Sequence, residues 1–476
     1  MSLDAASLPL PLYTAAQVRE LDARLIAAGT PGFELMQRAA QALWRALQHR
    51  WSQVGAITVL AGAGNNGGDG YLLAALAQRA GWTVQVLTVS EPAQLQGDAA
   101  QAYAQAQAAG VVIEPLRADS TLRGVVVDAL LGTGFHGELR LPYAEAIERI
   151  NASGLPVLAV DIPSGLDADT GVVAEQAVRA DLTLSFIGLK LGLLTGDAPD
   201  WVGALQFDDL QADPQQVAQQ AYTAIRLAGE VVPALAPRSR ISHKGRFGHL
   251  LVIGGDRGFG GASLLSAESA LRSGAGMVSL ATRGEHVAAS LMRHPEVMCT
   301  ATESTYQLAG QCERADVLVV GPGLGQASWG RSLLSAAAAS SVAQVWDADA
   351  LNLLAAGVVK LPTDSVLTPH PAEAARLLGC STDAVQADRP AAAIALASRY
   401  QAVVVLKGAG SLVAASDGRL LLCDRGHPAM AGAGFGDVLA GVIGALRAQG
   451  LPAFEAAALD YLMKPIRAER LASALE

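Results

Sequence analysis

Gly62, Gly64 and Gly67 fall at GxGxxG spacing in the stretch LAGAGNNGGDGYLLAALA, residues 60–77, directly behind the apolar run AITVL. Such a strand-to-helix turn brings backbone N–H groups against a pyrophosphate, and Glu91, after WTVQVLTVS, stands at about the distance of a ribose-binding acid. The side chains of the loop argue otherwise. Asn65, Asn66 and Asp69 fill it with amide oxygens and a carboxylate, and a fixed negative charge beside a pyrophosphate costs energy. A hard cation or a polar substrate edge suits that lining better. Two further apolar runs end in VDALLGTGFHGE, residues 127–138, and VDIPSGLDADTG, residues 160–171. They are expected to gather Asp128, Asp161 and Ser164 with Asn66 along one sheet edge. A lone acid at such a place reads as a turn or helix cap; three beside glycine turns point to a site.

The second half carries a different chemistry. HPAMAGAGFGDVLAGVIGALRAQG, residues 427–450, sets Gly432, Gly434, Gly436 and Asp437 just before a helical run. Backbone N–H groups there can close around a phosphate, with Asp437 placed to take a proton from an attacking hydroxyl; the alternative is a simple N-capping Asp. In VVVLKGAGSLV, residues 403–413, a strand ends in Lys407, Gly408, Ala409, Gly410 and Ser411, a turn suited to nucleotide phosphates. His370 is fixed between two prolines in VLTPHPAEAARLL, which favours ligand contact over simple packing. Asp347 and Asp349 in VWDADALNLL suit either magnesium waters or helix capping. Ala262 and Gly323 are small enough to admit a flat ring.

These residues need strands to carry them. After an amphipathic opening at about residues 15–50, AITVLAG, WTVQVLTV, GVVVDALLG, LPVLAVDIPSG and ADLTLSFIG read as strands buried on both faces, hence an open parallel sheet between helical layers. Residues 211–240 break the rhythm with Gln, Pro and Ala and no clear strand. Alternation resumes with HLLVIGG, ADVLVVGPGLG, VAQVWDADAL, DSVLTPH, AVVVLKGAG and RLLLCD. The expected organisation is α/β throughout, with domains at 1–212 and 241–476 joined by an edge or linker at 213–240. Ligand sites belong at the strand ends.

Composition narrows the function classes. The chain has 476 residues, half of them apolar and only 16% charged, with a formal net charge of -10. That balance argues against holding nucleic acid or an anionic membrane by bulk charge, so any phosphate site is local. Four scattered cysteines without a CxxC pair argue against disulfides and structural zinc. The first residues lack a basic start followed by an apolar core, and no apolar run reaches membrane-spanning length, so a soluble cytoplasmic protein is expected.

YTAAQVRELD, GNNGGDG, VDALLGTG and DIPSGLDADTG together resemble the epimerase domain of the NAD(P)H-hydrate repair family over most of residues 13–210. SHKGRFGHLLVIGG and the second-half sequences above resemble its ribokinase-like, ADP-dependent dehydratase domain over about residues 240–450. The order of the two is that of the bifunctional enzymes. The resemblance implies a Rossmann-like three-layer first domain, with K+ held by Asn66, Asp128 and Ser164. It implies a substrate pocket of Asn65, Asn66, Gly67, Gly68, Asp69, the loop Gly132, Thr133, Gly134, Phe135, His136, Gly137 and Glu138, then Tyr143 and Asp161, with Asp161 handling protons. In the second domain it implies Ala262, Gly323, His370 and Asp437 at the hydrated nicotinamide, and Lys407 to Ser411 with Gly436 at ADP, with Mg2+ and with Asp437 as catalytic base. The implied partners are small molecules, the hydrates of NADH and NADPH and ADP, with neither nucleic acid nor membrane, and a homo-oligomer is expected. Two departures stand out: Phe435 in AGFGD, where the family has a small hydroxyl residue or Met, and the ending AAALDYLMKPIRAERLASALE. A ribokinase-like small-molecule kinase fused to a nucleotide-binding domain, a binding module without turnover and, last, a plain dehydrogenase are the alternatives.

Overall fold

The computed structural model describes residues 8–459 apart from 174, 229–230 and 232–234. The chain divides into two compact units, Met1–Arg226 and Leu227–Glu476. The division falls inside the stretch read as linker. The unusual ending beyond residue 459 lies outside the described residues.

Unit 1 opens with β1 (Pro11–Leu12), α1 (Ala15–Ala27) and α2 (Gly32–Trp51). Thr14 starts α1 through a reciprocal cap: its hydroxyl accepts from Gln17 N at 3.2 Å, and Gln17 Oε1 accepts from Thr14 N at 2.9 Å. Strands and helices then alternate as β2 (Ala56–Ala61), α3 (Asn65–Arg79), β3 (Thr83–Thr88), α4 (Gly97–Ala108), β4 (Val112–Pro115), β5 (Val125–Ala129), α5 (Leu141–Ala152), β6 (Val157–Val160), β7 (Leu182–Phe186) and β8 (Ala204–Asp208). The sheet order is β4-β3-β2-β5-β6-β7-β8, every neighbour parallel. One apolar cluster joins the sheet to α2 and α3, and another joins its opposite face to α5. Strand order reverses between β2 and β5, which opens a crevice at their carboxyl ends. The stretch expected to hold no strand contains α6 (Pro214–Ala218) and β9 (Ala224–Arg226), the latter antiparallel to β1. Two- and three-residue strands carry too few side chains to show a period of two.

Unit 2 runs β10 (His249–Ile253), α7 (Gly260–Arg272), β11 (Met277–Thr282), α8 (Val287–Arg293), β12 (Met298–Ala301), α9 (Thr305–Cys312), β13 (Val317–Val320), α10 (Ser328–Ala338), β14 (Ala343–Trp346), α11 (Asp349–Ala355) and β15 (Ser365–Leu367). It continues with α12 (Pro371–Leu378), α13 (Thr382–Ala387), α14 (Arg389–Tyr400), β16 (Val403–Leu406), β17 (Ser411–Ala414), β18 (Leu420–Cys423) and α15 (Phe435–Ala448). Strands β12-β11-β10-β13-β14-β15-β16 lie parallel in that order, and β17 and β18 follow antiparallel. The reversal here lies between β10 and β13. Helices α15 and α7 meet where Gly441 leaves room: a Cβ on it would stand 2.2 Å from Ser266 O.

In unit 1 the glycine turn serves packing. A Cβ on Gly67 would lie 2.2 Å from Gly62 O, so α3 can start only this close to β2 without a side chain there. Gly67→Ala is therefore expected to cost about 1–3 kcal/mol in denaturant unfolding. Asn65→Ala, at an exposed neighbouring position, should stay within about 0.5 kcal/mol of the parent.

Candidate active sites

The crevice of unit 1 holds a cavity of about 710 Å³. From the expected set, Asn65, Asn66, Asp69, Gly132, Thr133, Gly134, Phe135, His136, Glu138, Tyr143 and Asp161 line it. Gly67, Gly68 and Gly137 of the expected set are not on its wall. Gly67 packs under Gly62, and a Cβ on Gly68 would meet Met36 Sδ at 2.7 Å. Glu91 is absent from the wall as well. The loop 132–138 is fastened at His136, whose Nδ1 lies 3.1 Å from Asp167 Oδ2. Burial works upward on Asp167, but the N–H groups of Thr170 and Asp169 and the His136 contact together hold its carboxyl below the usual range. Tyr143 hydroxyl bonds Ser90 Oγ at 2.9 Å.

Asn66, Asp128 and Ser164 meet through the turn after β5. Ser164 Oγ donates to Asp128 Oδ1 at 2.6 Å and Ser164 N to Oδ2 at 2.8 Å. Leu131 N donates to Ser164 Oγ at 2.9 Å, while Asn66 Nδ2 donates to Leu131 O at 2.8 Å. That bond turns the Asn66 amide so that its oxygen is left for another partner. Burial pushes the Asp128 carboxyl up to about 6, against the hydrogen bonds from Ser164 and Leu130.

Asp161 stands at the end of β6 with φ +65, a left-handed backbone rare for a residue with a side chain. Its Oδ1 receives Ser185 Oγ at 3.2 Å, Phe186 N at 3.1 Å and the Lys190 ammonium. Lys190 is 1% exposed and also donates to Phe186 O at 3.1 Å and Ser185 Oγ at 3.3 Å. Asp161 is thus anchored entirely through one oxygen. Its Oδ2 has no hydrogen-bond partner among the described residues, and Asp161 lines the cavity. Asp22 and Asp69 line the same cavity. Burial, then the charges of Asp161 and Asp22, raise the Asp69 carboxyl well above its ordinary range, with Lys190 opposing.

In unit 2 the first turn of α15 meets a buried ion pair. Lys407 Nζ lies 2.8 Å from Asp347 Oδ1, which also accepts from Thr368 Oγ1 at 2.8 Å; the Asp347 side chain is 2% exposed. A Cβ on Gly436 would stand 3.2 Å from Lys407 Nζ and 3.4 Å from Asp347 Oδ2, so the helix tip rests on the pair. Burial, then Asp347, push Asp437 up to about 6, with Lys407 opposing. Glu373 Oε2 lies 3.9 Å from Lys407 Nζ and accepts from His370 N at 2.8 Å. Burial raises Glu373 to about 7. His370 caps α12, its Nδ1 accepting from Ala372 N at 3.1 Å, and burial, then Lys407 and Arg376, lower its imidazole. The residues at Asp347, His370, Lys407, Gly436 and Asp437 therefore converge.

Ala262 and Gly323 also meet, a Cβ on Gly323 falling 3.2 Å from Ala262 Cβ. Helix α7 links them to the site, since Ser266 Oγ donates to Asp437 O at 2.7 Å. The Lys407–Ser411 turn is closed on itself, Ser411 Oγ donating to Gly408 O at 2.8 Å. The buried Arg389 lies beneath it and donates to Lys407 O at 3.2 Å. Asp349 accepts from Gly325 N at 2.8 Å and Gln326 Nε2 at 3.0 Å, so it tethers the turn after β13. The Phe435 ring lies over Gly432, where a Cβ would stand 3.3 Å from it.

Four residues escaped the sequence reading: Asp22, Lys190, Glu373 and Arg389. Each left a signal. Asp22 lies on α1 beside the buried stripe Val18, Leu21 and Leu25. Lys190 interrupts the apolar SFIGLKLGLL, and Glu373 follows His370 by three, the capping-box spacing. Arg389, after Asp388, looks like an ordinary helix start.

A family model described as YjeF-related protein N-terminus matches residues 32–192, and one described as NAD(P)H-hydrate dehydratase matches residues 250–474. A bifunctional NAD(P)H-hydrate repair enzyme of Coxiella burnetii is 43% identical over 464 residues, covering 97% of this chain and 95% of that protein. The Escherichia coli enzyme so named is 42% identical over 448 residues, covering 93% and 85%. A crystal structure of an ADP/ATP-dependent NAD(P)H-hydrate dehydratase from Bacillus subtilis, co-crystallised with ATP/Mg2+, is 28% identical with a TM-score of 0.46, covering 50% of this chain and 86% of that one.

The Lys407–Asp347 pair sets a stability test. Lys407→Met leaves Asp347 buried without its counter-charge and should cost roughly 3–5 kcal/mol in denaturant unfolding. Adding Asp347→Asn should recover a substantial part of that loss, a coupling read from the double-mutant cycle.

Proposed function

Because the chain belongs to the family of bifunctional NAD(P)H-hydrate repair enzymes, we propose that unit 1 interconverts the R and S hydrates of NADH and NADPH, and that unit 2 dehydrates the S form with ADP as phosphoryl donor. The nicotinamide nucleotide is then the substrate and not a hydride carrier. The observation that carries this reading is the convergence of Asp437 with Asp347, Lys407 and His370 at one helix tip.

In unit 2 Asp437 takes the proton of the ring 6-hydroxyl as that oxygen attacks the terminal phosphorus of ADP, and AMP leaves. The hydrate now carries a phosphate, a far better leaving group than hydroxide. The lone pair of N1 assists its departure, and loss of a proton from C5 restores the 5,6 double bond. The first turn of α15 supplies N–H groups for the phosphates, and the Lys407–Ser411 turn is the neighbouring nucleotide contact that the resemblance implies. Asp347 and Glu373, two buried carboxyl groups, suit Mg2+ held largely through water and phosphate, and they are the residues that would hold it. The ion would neutralise charge on the transferring phosphoryl group.

In unit 1 Asn66, Asp128 and Ser164 present only oxygen donors and a single carboxylate, which fits a hard monovalent cation better than zinc or calcium. K+ is the ion this set would hold, and it would supply the counter-charge that lets the buried Asp128 ionise. Asp161 Oδ2 faces the substrate as base. These assignments of site residues, K+ and Mg2+ are proposals for this chain.

Asp437→Asn should abolish ADP-dependent recovery of reduced-nicotinamide absorbance, by about 10²- to 10⁴-fold or more, while epimer exchange followed by chiral chromatography continues. A base must be ionised, so the parent dehydration rate should fall as pH drops through about 6. Loss of both activities, or of neither, would contradict the assignment.

Removal of K+ gives a second test. Burial raises Asp128 in the folded state, so the stability it contributes falls as pH rises from the ordinary carboxylate range to about 6 and stays reduced above. A cation bound there offsets that loss. The gain in melting temperature from KCl over tetramethylammonium chloride should be larger at pH 7.5 than at pH 5, and should vanish in Asp128→Asn.

A further inference from the structure

Asp22, the last residue of YTAAQVRELD, has no part in the chemistry above. It sits on α1 one turn beyond Val18, and both line the unit 1 cavity. Its Oδ1 is buried and has no hydrogen-bond partner among the described residues. Asp22, Asp69 and Asp161 therefore border one cavity, and the cation acting on Asp22 and Asp69 is Lys190, which is already bonded to Asp161. One cation cannot neutralise three carboxylates removed from water, and an ionised oxygen without a donor is expensive. The cluster is most stable with protons retained: Asp69, raised further, keeps one, and the unpartnered Asp22 is a place for another. Burial pushes Asp22 up to about 6, with Lys190 opposing and Asp161 reinforcing.

We propose that Asp22 is the catalytic acid of this cavity, giving its proton to ring nitrogen N1 while Asp161 Oδ2 removes the proton of the 6-hydroxyl. The inference rests on the epimerase reading of unit 1. As Asp161 takes the hydroxyl proton, the O–H pair forms the C6=O bond. The C6–N1 bond breaks, and its electron pair goes to N1 and is captured by the Asp22 proton. The ring-opened aldehyde turns about C5–C6 and presents its other face. Then N1 attacks C6, its proton returns to Asp22, and Asp161 gives its proton to the new oxyanion. No atom or electron is gained or lost, so the pair is reset after each turnover.

The test uses the full chain and the purified R hydrate of NADH. Asp22→Asn keeps the shape and removes the proton, and should lower kcat for epimerisation by about 10²- to 10⁴-fold with KM changed less than about threefold. Asp22→Glu keeps a titrating carboxyl and should recover at least about tenfold over Asp22→Asn. An acid must be protonated, so the parent rate should fall as pH rises through the titration of Asp22, near 6, and Asp22→Asn should lose that limb. The groups facing Asp22 are Asp69 from α3, Asp161 after β6 and Lys190 after β7; Arg19 shares its helix and the cavity wall. Parent-like kcat and an unchanged pH profile in Asp22→Asn would overturn the proposal while leaving the epimerase reading intact. Failure of the parent chain itself to exchange the epimers would overturn both.

Discussion

A carboxylate that leaves water at the end of a parallel strand must find a cation or several N–H groups, and that requirement organises both units. In unit 1 Asp161, after β6, is anchored by Lys190, which follows the adjacent strand β7. In unit 2 Asp347, after β14, is anchored by Lys407, which follows β16, with Thr368 from the intervening β15 as a second donor. Neither lysine is a free ligand-binding arm. Each neutralises one oxygen of a strand-end carboxylate and so stiffens the edge of the sheet where the chemistry lies. Parallel strands make this possible because their carboxyl ends all open on the same side.

The same constraint separates two roles for the glycine turns. In GNNGGDG the glycines let neighbours approach closely, Gly67 against the Gly62 backbone and Gly68 against the Met36 side chain, while Asn65, Asn66 and Asp69 reach the cavity. A loop so equipped offers amide oxygens and a carboxyl where a dehydrogenase would offer bare N–H groups to a pyrophosphate. The spacing GxGxxG is therefore a packing signature here, and the side chains between the glycines are the ones that reach the cavity. At α15 the relation is inverted: Gly436 is bare so that Lys407 and Asp347 can lie beneath the helix tip.

How much of this was legible in the sequence depended on burial. The strands β2, β3, β5, β6 and β7, then β10, β13, β14, β15, β16 and β18, were read from continuous apolar runs because most are covered on both faces. The edge strands β4 and β12 went unread, their exposed side chains breaking the apolar run, and so did β8, which is only half buried. The strand β11, one in from the edge, was masked by Ser279 and by the glycines before it. The meeting of Asn66, Asp128 and Ser164 was foreseeable because Asn66 and Ser164 follow the ends of β2 and β6 and Asp128 lies near the end of β5. Lys190 and Lys407 were not legible as counter-charges, since their partners lie 29 and 60 residues away in the chain. Sequence spacing has no access to a pair formed across neighbouring strands.

The two chemistries ask different things of similar clusters of carboxyl groups. Epimerisation returns every proton it removes, so its site needs groups that both give and take at similar cost. Three carboxyls around one ammonium supply this, because adding a charge to any one raises the proton affinity of the others. Unit 2 also sets three carboxyls about one ammonium, Asp347 at 2.8 Å and Glu373 at 3.9 Å from Lys407 Nζ, with Asp437 at the helix tip above them. On the proposed route the proton that Asp437 takes is not returned to the same oxygen, so there the cluster serves a one-way step beside phosphates, whose charge the proposed Mg2+ would offset. Separate sites let each carboxyl cluster keep the charge its own reaction needs.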